Sequence, residues 1–480
     1  MQKTLKIFRL SFLEISILFI IGYFAFEYKP FEHRLYHTIS KIFFHSPAHQ
    51  LSKDLNIYLT DIVIFICFFS FLITAKKKAS LLFQNENKYL WIVFIFSLFS
   101  VLFSKTASFS HSFLKIHQLF FSILLFIFTA NVIAKNDPSN LLRKIFFLLV
   151  LIGMVESIIG LYHYLLQHPL GLYKFGEPKF KSNINYAMIP TDGKVWIFNL
   201  FKTAKASIIR AYGTFPHPNI LGAFLSISML STLYAVIEQK KWKKGLFMLM
   251  FFLQSACLIV TFSRSAIFGF FISSIFFLTF AKLKLKKTIL VIVLLIGASF
   301  LLNGYIFYPQ VNNRGGIVSN SELSNGSNNA RIYYSLIALN MMKSHPILGV
   351  GYDQFIPNMN AYLDTIAYNS SLSGATVHNI YLLLGAETGA ISLCSFLLFL
   401  FFIFKESLRS ISLEKLLLTS FMIGFLFIGL CDYFFLFFQQ GKIMFFGLLG
   451  ILAGYNQFTS KLKTYSSLKG PFKEIINSES

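Results

Sequence analysis

The sequence predicts an all-α polytopic membrane protein, and three observations carry that expectation. Of its 480 residues 55% are hydrophobic and only 13% charged, against about a quarter charged in soluble domains. The mean hydropathy is +0.63. Many apolar runs reach the ~20 residues that cross a ~30 Å hydrocarbon layer as a helix, the economical choice where lipid satisfies no backbone polar group. Within that class, the net charge of +23 reads as loops meeting anionic lipid or substrate, not as affinity for nucleic acid.

Taken in order, the apolar runs give about twelve spans, near 10–27, 56–75, 89–104, 113–134, 144–166, 218–238, 245–262, 265–281, 288–305, 380–403, 413–436 and 442–458. The first run is interrupted by Glu14, and "YFAFEYKPF" beyond it has no small-residue cleavage site, so it reads as an anchor helix. Asp61 and Glu156 fall inside spans, where structural pairing is the expectation. Cys67, Cys257, Cys394 and Cys431 all fall in apolar runs and read as buried free thiols. Three parts follow: N-terminal helices over 1–205, a core over 206–403 with a long loop at 306–379, and C-terminal helices and tail over 404–480.

Orientation comes from the short connections. Lysine clusters at 76–78, 240–244 and 282–287 share one side with Arg143, Lys405, Arg409, Lys415 and both termini. Positive-inside statistics place that side in the cytoplasm. The longer connections at 28–55, 167–217 and 306–379 then face outward.

That topology gathers four groups at the outer leaflet. Arg210 closes one outer loop in "RAYGTFPHPNILGAFL". Arg264, in "TFSRSA", sits at a hairpin tip with Ser263 and Ser265 able to cap the next helix. Arg331, in "NARIYYSLIALNMMKSHPILGVGYDQF", opens a helix in the last outer loop, and His378, in "HNIYLLLGAETG", stands at the first turn of the tenth span. Arginine forks pair bidentately with phosphate oxygens, and a helix start is a ready anion site. A histidine at such a start is held neutral and able to take a proton. Together they suggest transfer from a lipid diphosphate to a hydroxyl. The plainer alternative is that the arginines snorkel to ordinary headgroups and the histidine caps its helix.

Further features shape the expectation. Ile332, Leu336 and Leu339 form an i, i+4, i+7 stripe, so the helix over Ala330 to Lys343 lies on the membrane surface or caps the spans, carrying Arg331 as a lid. Gly349 and Gly351 make turns after Pro346, and the polar stretch at 311–329 reads as mobile. Glu387 lies nine residues beyond His378, about 180° round a straight helix, and makes no dyad with it unless Gly385 or Gly389 breaks the helix. No close acidic pair for a divalent metal and no Walker-type loop is apparent. Neither metal nor cofactor is expected.

The quoted segments, in this order and spacing, resemble the O-antigen ligase/polymerase superfamily over roughly residues 205–400. The resemblance implies a GT-C-like architecture in a bacterial inner membrane. It implies a polyprenyl-diphosphate-linked glycan as donor and a lipid- or glycan-linked acceptor. Arg210, Arg264 and Arg331 would bind the donor diphosphate, and His378 would be the base. His217, Asn219 and Asn379 are possible accessories, His217 standing where many relatives carry Asn. Polymerisation of lipid-linked repeat units shares this chemistry. A transporter of similar span number remains the other class, although no matched halves are apparent.

Overall fold

The computed structural model describes residues 12–23, 59–74, 86–104, 109–135, 137–178, 180, 188–190, 194–195, 201–202, 207–281, 286–307, 322–362, 375–409 and 412–477. The lysine cluster at 76–78, most of that at 282–287 and the connection 28–55 lie outside them.

Each apolar run forms a helix. In chain order these are α1 (Phe12–Tyr23), α2 (Leu59–Thr74), α3 (Asn87–Leu102), α4 (Phe109–Ile133), α5 (Ser139–Leu166), α6 (Pro218–Glu238), α7 (Lys241–Val260), α8 (Arg264–Phe280) and α9 (Lys286–Ile306). Then come α10 (Glu322–Ser344), the short α11 (Phe355–Asn358), α12 (Ile380–Arg409), α13 (Leu413–Gly429), the short α14 (Phe434–Phe437) and α15 (Gln439–Asn477). Six helices among the described residues are long and apolar enough to cross a membrane. The chain is an integral membrane protein.

Small residues let the helices approach closely, as lipid-embedded packing favours. On α15, Gly450 and Gly454 lie against the Phe126 and Ala130 carbonyls of α4, where any β-carbon would collide. Several buried polar groups are paired between elements distant in sequence. Glu156 of α5 accepts the Thr214 N–H at 2.8 Å and its hydroxyl at 2.6 Å. The Gln439 amide donates to Asp61 at 2.6 Å, and the buried Lys442 ammonium donates to Gln118 at 2.7 Å. Asp61 and Glu156 thus have the expected structural partners.

Several expectations change. The fold is mostly helical, as the all-α class requires, but the 167–217 connection adds two small antiparallel ladders: Met188–Pro190 on Ser207–Ile209, and Lys194–Val195 on Phe201–Lys202. Ile208 and Ile209 are buried, and their strand leads straight into Arg210. The polar stretch ahead of Arg331 is already helical from Glu322, so Arg331 sits within α10 rather than opening it. The eleventh run stops at Gly429 instead of continuing to 436. α12 is interrupted at Gly389 (φ 81°, ψ 175°), which separates residues 380–388 from the span beyond. Cys67 and Cys257 are buried, but Cys394 is exposed and Cys431 half-buried.

Gly389 breaks where it does because the chain after α10 crowds the helix there. Its missing side chain leaves room for the Ile347 carbonyl, and the Ala390 N–H donates to the Pro346 carbonyl at 2.8 Å. The segment then turns at Gly349 (φ 65°) and Gly351 (φ 115°), as expected after Pro346. Val350 and Gly351 donate to the Ala386 and Glu387 carbonyls, and Tyr352 donates to Ser100 at the end of α3.

Candidate active site

The polypeptide builds the site around the start of α6. His217 is the N-cap: its Nδ1 accepts the Asn219 N–H at 3.1 Å, and Pro218 at the first helical position needs no donor partner. This fixes Nδ1 of His217 as an acceptor and gives the residue a structural role. Asn219 then points its amide two ways. Its oxygen accepts from Arg210 Nη2 at 2.8 Å, and its nitrogen donates to Asp432 Oδ2 at 2.7 Å.

Arg210 is almost fully buried. Besides Asn219 it reaches the end of α7, where its Nε donates to the Thr261 carbonyl at 2.5 Å. The adjacent Ala211 N–H donates to Val260, so the strand and this helix end are stitched together. The guanidinium thus satisfies a carbonyl that the helix itself leaves unpaired. Glu156 holds the next turn through Thr214, and Gly213 (φ 60°) leaves space for that carboxylate.

Arg264 stands three residues beyond Thr261, at the first position of α8, with an exposed side chain. Ser263 occupies the N-cap but makes no side-chain cap bond; its hydroxyl lies 3.3 Å from that of Ser265. The expected serine cap is therefore not formed, because the two hydroxyls face each other.

His378 and Asn379 precede the first half of α12. Asn379 is the cap: its oxygen accepts the Tyr381 and Leu382 N–H groups at 2.9 and 3.0 Å, and its nitrogen donates to the Leu430 carbonyl at 3.2 Å. That last bond seats His378 against the turn after α13. There the Tyr433 ring meets the imidazole edge-on, centroids 5.3 Å apart. Nδ1 of His378 is buried without a hydrogen-bond partner. Burial holds the ring's pKa below its ordinary 6.5, the Asp432 carboxylate and a bond with the Thr376 backbone pull it upward, and the Arg331 guanidinium pushes it down. Arg331, half-buried on α10, is thereby placed close to His378.

Arg210, Asn219 and Asp432 form one hydrogen-bonded chain, and Asp432, which the sequence reading passed over, acts with Arg331 on the charge of His378. Asp432 lay hidden in an apolar run taken as span. A lone acid in such a run is itself a functional signal. Glu387 is not part of this group. It faces the 350–355 segment and accepts the Asp353 and Phe355 N–H groups at 3.0 and 3.1 Å. The break at Gly389 comes after it and does not turn it toward His378.

Residues 249–397 match the family described as O-antigen ligase. The match takes in Arg264, Arg331 and His378, while Arg210 and Asn219 precede it and Asp432 follows it. No curated protein matches the chain. The chain is thus a helical membrane protein that is similar to the O-antigen ligase family over residues 249–397.

Proposed function

We propose that this membrane enzyme transfers a glycan from a polyprenyl-diphosphate carrier to an acceptor hydroxyl, on the outer face of a bacterial inner membrane. The observation that carries the reading is His378: a depressed imidazole, its Nδ1 unclaimed by the fold, in a corner shared with Arg331 and Asp432. A neutral imidazole takes the acceptor proton as the acceptor oxygen attacks the anomeric carbon of the donor glycan. The bond from that carbon to the diphosphate oxygen breaks, and the leaving diphosphate takes the bonding electrons. Arg264 and Arg331 stabilise its charge with planar donor forks. Asp432 steadies the imidazolium that forms, and Arg210 holds Asn219 and Asp432 in place. On this reading Arg210 acts chiefly as a positioning residue, and no metal takes part.

Ligation and repeat-unit polymerisation use the same donor chemistry, so the test offers both acceptors. Purified protein in nanodiscs is given a defined polyprenyl-diphosphate glycan, a lipid-linked acceptor and a second lipid-linked glycan, with and without a chelator. Transfer to either acceptor, unaffected by chelation and lost in His378→Ala with donor binding kept, is the expected result. Absence of transfer to both, or loss of donor binding on His378→Ala, overturns the assignment.

A further inference from the structure

α10 is apolar on two opposite faces. At 3.6 residues per turn, Ile332, Leu336 and Leu339 fall within about 60° of one another, and Tyr334, Ile337, Ala338 and Met341 lie on the far side. The second set is buried, packed with Leu383 and Ala386 of α12 and with Val350 and Phe355. The first set is left outside, 60%, 41% and 41% exposed.

The bare stripe does not end with the helix. Ile347, just beyond it, is 60% exposed. Its carbonyl fills the space at Gly389, and the neighbouring Pro346 carbonyl accepts from Ala390. Next along the chain from Ala390 is Ile391, followed by Leu397, Leu398 and Phe401, all exposed on the membrane-crossing part of α12. Exposed Lys343 falls in line with the stripe, its long stem able to lie along apolar surface, and beyond it Ile347 brings the stripe up to the surface that this span offers to lipid. A water-facing stripe has no reason to be joined to a lipid-facing one in this way.

We infer that α10 is an interfacial helix, with Ile332, Leu336, Leu339 and Ile347 seated in the leaflet on the site face of the membrane. Its opposite face roofs the start of α12, and Arg331 on its flank is held beside His378 by this lipid support. The inference rests on the membrane architecture and not on the transfer chemistry, so its test needs no activity.

Nitroxide probes are introduced singly at 332, 336 and 339 in a Cys394→Ser, Cys431→Ser background, and the protein is placed in nanodiscs. Cys67 and Cys257 are buried and do not compete for the label. Collision with oxygen reports lipid, and collision with a water-soluble nickel chelate reports the aqueous phase. Probes at Leu397 and at Lys243, both exposed, give the lipid and aqueous references. The expected result is high oxygen and low nickel collision at all three α10 sites, close to the Leu397 probe. Nickel collision matching the Lys243 probe would put the stripe in water. Low collision with both reagents would mean that protein, such as a second copy of the chain, covers it. Either of these outcomes overturns the inference. In the Leu336→Glu protein, probes at 332 and 339 should gain nickel collision several-fold, whereas Leu336→Trp should leave them unchanged, since tryptophan favours the interface.

Discussion

At the scale of single residues, the arginines separate by what they touch. Arg210→Ala removes bonds to Thr261 and Asn219 and leaves buried partners unsatisfied. It should cost about 1.5–3 kcal/mol of stability, seen as a lower melting temperature. Arg264→Ala should weaken donor binding with melting unchanged, because its side chain is exposed. Equal effects of the two variants on melting would contradict this division. His378 gives a pH test. Transfer should rise as pH climbs through a midpoint below 6.5, where the ring loses its proton. Asp432→Asn removes the carboxylate that favours imidazolium, so the midpoint should fall further; Arg331→Gln removes an opposing cation, so it should rise. Shifts in the reverse directions would show that another group is titrating. By position and chemistry, Arg210, Arg264, Arg331 and His378 were singled out in the sequence. Asp432 was not, because apolar neighbours on both sides absorbed it into a span, and only the three-dimensional bond from Asn219 brings it into view.

At the scale of elements, periodicity and length located the long helices well, since a bilayer imposes both. Boundaries were harder where contacts decide them. α10 begins in a Ser/Asn/Gly-rich stretch that local preference assigns to a loop, and it is stabilised by the packing of Tyr334, Ile337 and Met341. The break in α12 could have fallen at Gly385 or Gly389, and only the arrival of Ile347 selects the second. Gly389→Ala combines a positive φ with a collision at that carbonyl. It should cost at least about 1 kcal/mol and speed hydrogen exchange at Val350 and Gly351, whose N–H groups bond the adjacent turn. Unchanged exchange there would mean that the two segments are not coupled. Gly454→Leu should separate α15 from α4 at a cost of about 1–3 kcal/mol, measured as lost thermal stability of the purified protein.

At the scale of the whole molecule, orientation is the premise that turns a polar corner into an outward-facing site. Reporters fused near residues 78, 241 and 284 should be cytoplasmic, and those near 190 and 325 external. An external reporter at 284 would place Arg264 on the wrong side and end the donor-site reading. The bond between Asn219 and Asp432 has one more implication, for the order of biogenesis. It spans 213 positions of the chain, and a membrane protein is threaded into the bilayer from its first residue onward. When α6 emerges, Asn219 has no carboxylate to meet, and none arrives until α13 and the turn behind it have been inserted. A nascent chain released after Arg409 would hold Arg210, Asn219, Arg331 and His378 and still lack the carboxylate that Asn219 bonds and that acts on His378. Such a fragment should insert, yet remain inert, so an unfinished copy would have no means of consuming lipid-linked glycan while its own synthesis is incomplete.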